Sequence, residues 1–149
     1  MVTTMTDDMS TLVDRLLDLW RRTPADDAEA AAAFAEVYAD PLTVNDAPIT
    51  VAGLVARARA LHSAYDDLDM ELLDLVTAPE RVVIAFVMRA RHTGPLTTPL
   101  GSVPATGRTV TARTIDVLTV RDGLVTAITV VADELGVLTQ LDAVRLAGS

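Results

Sequence analysis

The chain contains no cysteine. That excludes a thiol nucleophile, a disulfide framework and a cysteine-ligated metal. Lysine is missing as well: all twelve cationic residues are arginine, so Schiff-base chemistry has no amine to use. Twelve arginines stand against 21 acids, a formal charge of −9. This argues against a nucleic-acid partner, because phosphate binding needs clustered cations. Aromatic residues are few, limited to Trp20, Phe34, Tyr38, Tyr65 and Phe86, so the core must be built mostly of Leu, Val and Ala. No apolar run approaches the roughly 18 residues that mark a membrane span, and no membrane partner is expected. The N-terminal MVTTMTDDMS is acidic and polar and does not read as a signal peptide. A cytoplasmic location is expected. His62 and His92 are thirty residues apart, and no Gly-rich phosphate loop or Gly-x-Ser-x-Gly elbow occurs. Neither a metal nor a cofactor is expected.

What is present is a core. Half of the 149 residues are apolar, which at this length favours one domain over residues 1–149. Met9, Leu12, Val13, Leu16, Leu17 and Trp20 follow helical spacing and predict a helix over 9–21. AEAAAAFAEVYAD predicts a second helix, ended by Asp40-Pro41 because a residue before proline avoids helical geometry. LTVND predicts a short strand, and Thr50 opens a third helix that YDDLD closes. Residues 69–77, 81–92, 108–120 and 124–132 are rich in Val, Ile, Leu and Thr and predict strands. Asp122-Gly123 marks a tight hairpin. The segment 93–107 is long for a hairpin loop and suits a lid. DELGVLTQLDAV predicts a short terminal helix. The order α-α-β-α-β-β-β-β-α is that of an α+β fold. It predicts a curved antiparallel meander wrapped as a cone on three N-terminal helices, with the first strand at an edge. The mouth of such a cone holds a small ligand.

Two acids carry the chemical interest. Asp133 ends the last strand and starts the last helix; it is either an N-cap or a pocket acid, and the two roles are compatible. Asp116 lies mid-strand, where Asp is depleted. An apolar setting there would raise its pKa by desolvation. The bland reading is an edge position, or pairing with Arg113 or Arg108. On adjacent strands of one hairpin the two acids would line one cavity and push their pKa values apart, one as base and one as acid. Asn45 and Asp46 end the first strand as a turn or at the pocket mouth. Trp20 packs in the core or lines the pocket. His92 anchors the long loop or lines the pocket, and His62 reads as a core histidine.

RHTGPLTTPLGSVPATGRTVTARTIDVLTVRDGLVTAITVVADELGVLTQL resembles the SnoaL-like polyketide cyclases and ester cyclases, within the superfamily of nuclear transport factor 2 and ketosteroid isomerase. The resemblance rests on His92-Thr93-Gly94, Ala105-Thr106-Gly107-Arg108, Asp122-Gly123, Asp133 and the helix Leu135 to Leu141. It covers about the last sixty residues in motif and the rest in element order. It implies an α+β cone, no cofactor, and Asp133 as the acid/base of an intramolecular aldol closure. Related limonene-epoxide hydrolases imply a carboxylate pair at Asp116 and Asp133, with Arg113 beside it and a pocket Asn at Asn45. Ketosteroid isomerases imply a base within Val44-Asn45-Asp46 and an acid at Asp116. The isomerase tyrosine is replaced here by Leu16, and the tryptophan that cyclases often carry near Ile128 is missing.

The expected function is therefore cofactor-independent cyclisation of a polyketide-type small molecule, with Asp133 and Asp116 as catalytic acids. Asn45, Asp46, Trp20, His92 and Arg113 are the substrate-binding candidates. The alternatives are an epoxide-opening cyclase or hydrolase of polyether biosynthesis and a non-catalytic binding domain. Strands apolar on both faces predict a homodimer.

Overall fold

The computed structural model describes residues 2–148, with side chains from Asp8 onward. Helix α1 runs Val2–Arg21 and buries Met9, Leu12, Val13, Leu16 and Leu17, the face its spacing predicts. Helix α2 runs Asp27–Ala35, with Asp26 as its N-cap. It stops earlier than predicted. Strand β1 (Tyr38–Val44) begins where the helix was expected to continue. Val37 donates its amide to Phe34 and accepts the amide of Val125 at 2.8 Å, which commits the chain to a strand. Asp40-Pro41 therefore lies inside β1 instead of ending a helix. Proline's missing donor costs little there, because pairing with the neighbouring strand lapses between Tyr38 and Thr43.

A two-residue turn, Asn45-Asp46, joins β1 to β2 (Ala47–Ile49). Helix α3 (Val51–Ala64) follows, capped by Thr50, which accepts from Gly53. Strand β3 runs Tyr65–Ala78, so YDDLD belongs to the strand instead of closing the helix. The strand is irregular there, with a register shift between Asp66 and Asp69. Strands β4 (Arg81–His92), β7 (Thr109–Arg121) and β8 (Leu124–Ala132) match the predicted segments within a residue or two. The segment 93–107 is not plain loop: it holds a small hairpin, β5 (Leu96–Thr98) and β6 (Gly101–Val103). Helix α4 (Glu134–Gln140) ends the fold.

The main sheet has the order β2-β1-β8-β7-β4-β3. β1 is not the edge strand; it pairs parallel with β8, and β2 covers it. The sheet is curved and does not close, in keeping with an α+β cone. Strand alternation turns Val82, Ile84, Phe86 and Met88 of β4, and Val110, Ala112, Asp116 and Leu118 of β7, toward the helices. The outer face exposes Leu73, Val76, Ile115 and Val131. Among the described residues no helix is long and apolar enough to cross a membrane.

Candidate active site

The space between sheet and helices forms two chambers. The inner one, about 190 Å³, is bounded by Leu16, Leu17 and Trp20 of α1, Tyr38 and Val44 of β1, and Leu54 and Arg57 of α3. Its floor is Thr114 and Asp116 of β7 with Ile128 and Val130 of β8. The outer one, about 460 Å³, lies between Phe86, Met88 and Ala112 of the sheet, residues 96–100 of the small hairpin, and Val137 and Leu138 of α4. Met70, Phe86 and Thr114 border both chambers, which makes them one cleft with a waist.

Asp116 sits in the inner chamber because β7 alternates: Ala112, Thr114, Asp116 and Leu118 share the inward face. It is 8% exposed. Its Oδ1 is buried without a hydrogen-bond partner. Burial raises its pKa from 3.8 to about 6, since the low-dielectric surroundings penalise the carboxylate. Both charge states are thus within reach near neutral pH.

Beside it, the Trp20 indole donates to the Tyr38 hydroxyl at 2.8 Å. Phe34 holds both rings, edge-on to Trp20 at 5.7 Å and stacked on Tyr38 at 5.8 Å. Burial pushes the Tyr38 pKa up strongly, the Trp20 bond pulls it back in part, and the nearby Asp116 charge adds to the rise. The phenol therefore stays protonated. With Trp20 on its lone pair, its own O–H is free to donate to a substrate oxygen.

Asp133 takes a different place. Its backbone N–H donates to Arg113 at 3.0 Å. Its carboxylate accepts from the Gly136 amide at 2.9 Å and so caps α4. A Cβ at Gly136 would collide with that carboxylate, so the cap needs glycine there. Asp133 is exposed and borders the outer chamber, next to Glu134. Val130 is the partner of Asp116 across the β7–β8 ladder. Asp133 lies three residues beyond it, about 10 Å at the usual strand rise. The expectation that both acids line one chamber is corrected: they stand toward opposite ends of the cleft.

Of the other candidates, only Trp20 reaches the inner chamber. Arg113 alternates to the outer face and is exposed, so neither the proposed pairing with Asp116 nor a pocket role fits its position. Asn45 and Asp46 both have positive φ, 49° and 68°, as a tight hairpin turn requires. The Asn45 side chain is occupied by the backbone of Val130, donating to its carbonyl at 3.3 Å and accepting its amide at 2.9 Å. His92 is fully buried and anchors the long segment. Its Nδ1 accepts the Thr106 amide at 3.2 Å, and its backbone bonds to Gly107 and Arg108. His62 is half-buried and donates from Nε2 to the Trp20 carbonyl at 2.7 Å. Among the described residues no group of three acids or histidines is placed to hold a metal.

Sequence reasoning missed Tyr38 and Arg57. Tyr38 was hidden by a helix extended too far. Arg57 had a signal: it falls between Leu54 and Leu61 on the helix stripe that faces the cleft.

No curated protein matches the chain in sequence. A family model described as SnoaL-like polyketide cyclase matches residues 10–141. Among solved structures, TsrD from Streptomyces laurentii superposes with a TM-score of 0.78 at 24% identity, covering 93% of this chain and 97% of that one. AclR from Streptomyces galilaeus, a candidate hydroxylase, gives 0.73 at 20% identity, covering 95% and 99%. Wild-type IdmH from Streptomyces antibioticus, a candidate polyketide cyclase, gives 0.71 at 19% identity, covering 89% and 97%. At these identities the likeness is one of fold.

Proposed function

The chain belongs to the SnoaL-like polyketide cyclase family, and from that premise we propose that it closes a ring in a polyketide-type small molecule, with Asp116 as the acid/base. The observation that carries this reading is the buried Asp116 carboxyl, its Oδ1 without a partner, in an apolar chamber beside a phenol free to donate. The ionised Asp116 takes a proton from a carbon next to a carbonyl. The electron pair moves onto the carbonyl oxygen, where the Tyr38 O–H stabilises the charge. The enolate carbon attacks a second carbonyl of the same chain, and one carbon–carbon bond forms. The new alkoxide recovers the proton from Asp116, which returns to its carboxylate form. A pKa near 6 suits a group that must both take and return a proton. The apolar walls supply proximity by folding the substrate. Protons and electron pairs move within the substrate with no net oxidation or reduction, so the step needs no redox cofactor.

Asp133 has a supporting place in this reading, at the outer end of the cleft and engaged with α4. The test is deuterium uptake from D2O into the methylene of an aryl β-keto ester, followed by proton NMR. Asp116→Asn should slow uptake by about 10²–10⁴-fold. Asp133→Asn, which keeps a capping oxygen, should leave it within a few-fold. The reverse outcome moves the base to Asp133.

Epoxide opening is the second reading. It is favoured by a carboxyl whose protonated form is accessible near neutrality, and disfavoured because among the described residues Asp116 is the sole carboxylate bordering the inner chamber. Turnover of a terminal epoxide without uptake into the keto ester would select it. Inactivity of the wild type on both probes would leave a binding domain. We also propose a homodimer through the apolar outer face of the sheet; a clean monomer in sedimentation equilibrium would remove it.

A further inference from the structure

The cleft is polarised along its length. Among the described residues, Arg57 is the only cationic side chain bordering either chamber, and it stands at the inner one. At the outer end stand two carboxylates, Asp133 and Glu134. Helix α3 presents Leu54, Arg57 and Leu61 to the cleft in sequence, so a guanidinium occupies a position whose helical neighbours are apolar.

Among the described residues this arginine has no partner. Two residues on, Arg59 is engaged with Asp27 at 3.0 Å and with the Ala25 carbonyl at 3.1 Å. Arg57 makes no hydrogen bond or ion pair among the described residues. Asp116, in the same chamber, does not serve: a guanidinium in contact would hold its carboxyl low, whereas burial leaves it raised. Arg57 is exposed, which puts it at the solvent edge of the chamber. A chain of net charge −9 does not attract anions in general, so an anion bound here would be held by this residue.

We infer that Arg57 recognises a carboxylate on the substrate. The substrate lies along the cleft with that group at Arg57 and its apolar body running past Phe86 and Met70 into the outer chamber. The planar fork suits a carboxylate, which can take two parallel hydrogen bonds. The two acids at the far end repel the same group and set the direction of binding. The inference deepens the reading above and rests on the inner chamber being the reactive end.

Trp20 is the only tryptophan in the chain and borders the inner chamber, so its fluorescence reports occupancy there. The probes are 4-phenylbutanoate and its methyl ester, titrated at pH 7. Wild type should bind the acid about tenfold or more tighter than the ester, as a charge-assisted hydrogen bond allows. Arg57→Gln should abolish that preference. Arg57→Lys should keep a smaller one, because the charge remains while the fork is lost. Circular dichroism checks that each variant is folded. Equal affinity for acid and ester in wild type overturns the inference, as does an unchanged preference in Arg57→Gln or no saturable binding of the acid. Because this measurement uses no turnover, it separates from the chemistry. An Arg57-dependent acid preference with a fully active Asp116→Asn would sink the acid/base assignment alone. An inactive Asp116→Asn with no acid preference would sink the carboxylate site alone.

Discussion

Asp116 and Asp133 are the same side chain at two ends of one cleft, and the backbone around them makes them different. Asp133 stands where a strand gives way to a helix, so the unpaired amide of Gly136 is in reach and satisfies it. Asp116 stands mid-strand, where neighbouring amides are committed to the sheet ladder, and its Oδ1 is left without a partner. One acid is exposed and caps a helix; the other is 8% exposed with its pKa raised to about 6. The lesson is that the supply of local donors, more than burial in an apolar neighbourhood, separates a cap from a candidate catalyst.

The sharpest way to break this contrast is by rate. Asp116→Asn should cost about 10²–10⁴ in keto-ester exchange, against a few-fold at most for Asp133→Asn. Wild-type exchange should also rise with pH through an inflection near 6, as Asp116 ionises to the base form. A profile flat from pH 5 to 8 would place the base elsewhere.

Stability should separate the two next. With a folded pKa of about 6 against 3.8, Asp116 holds its proton in the folded state after the unfolded chain has lost it. Its contribution is fully present below pH 3.8, is lost as pH rises through about 6, and leaves a penalty above that. Asp116→Asn should therefore be more stable than wild type by about 3 kcal/mol at pH 8. The two should be nearly equal at pH 3.5. Urea melts of the pair at both pH values check the sign; a destabilised variant at pH 8 contradicts it.

The cap predicts smaller effects. Asp133→Ala should lose about 1 kcal/mol, while Asp133→Asn loses almost nothing. The smallest and most specific effect is a coupling. Gly136→Ala should destabilise wild type by displacing the carboxylate. In the Asp133→Ala background it should gain about 0.5–1 kcal/mol, because alanine suits a helix better than glycine. Additive effects in the thermal melts of the four chains would mean that the cap and the glycine act independently.

Much of this fold is legible in the sequence, and the failures have local causes. β4, β7 and β8 are long, β-branched and bounded by clear turn residues, so they read within a residue or two. Helix α2 was over-extended because its alanine run continues into Glu36, Val37 and Tyr38 without a breaker before Pro41. Pairing of Val37 with Val125, 88 positions away, ends that helix, and no local window contains it. The turn at Asn45-Asp46 carries both of the residue types that tolerate positive φ, yet likeness to other enzymes argued for a pocket role there. Its location at a two-residue hairpin decides for the turn, and the Asn45 side chain is consumed by β8.

By itself the sequence determined the class of the molecule: an acidic α+β chain without thiols or amines, its late strands and helix caps spelled out by residues close in the chain. Local rules suffice there because caps, turns and amphipathic faces are set by neighbours a few positions apart. Tertiary structure alone decided which residues share the inner chamber. Trp20, Tyr38, Arg57 and Asp116 come from four elements and meet only when the sheet curls over the helices. Whether a carboxylate is desolvated, partnered or capping depends on those distant neighbours, because hydrogen bonds and dielectric act through space and not along the chain.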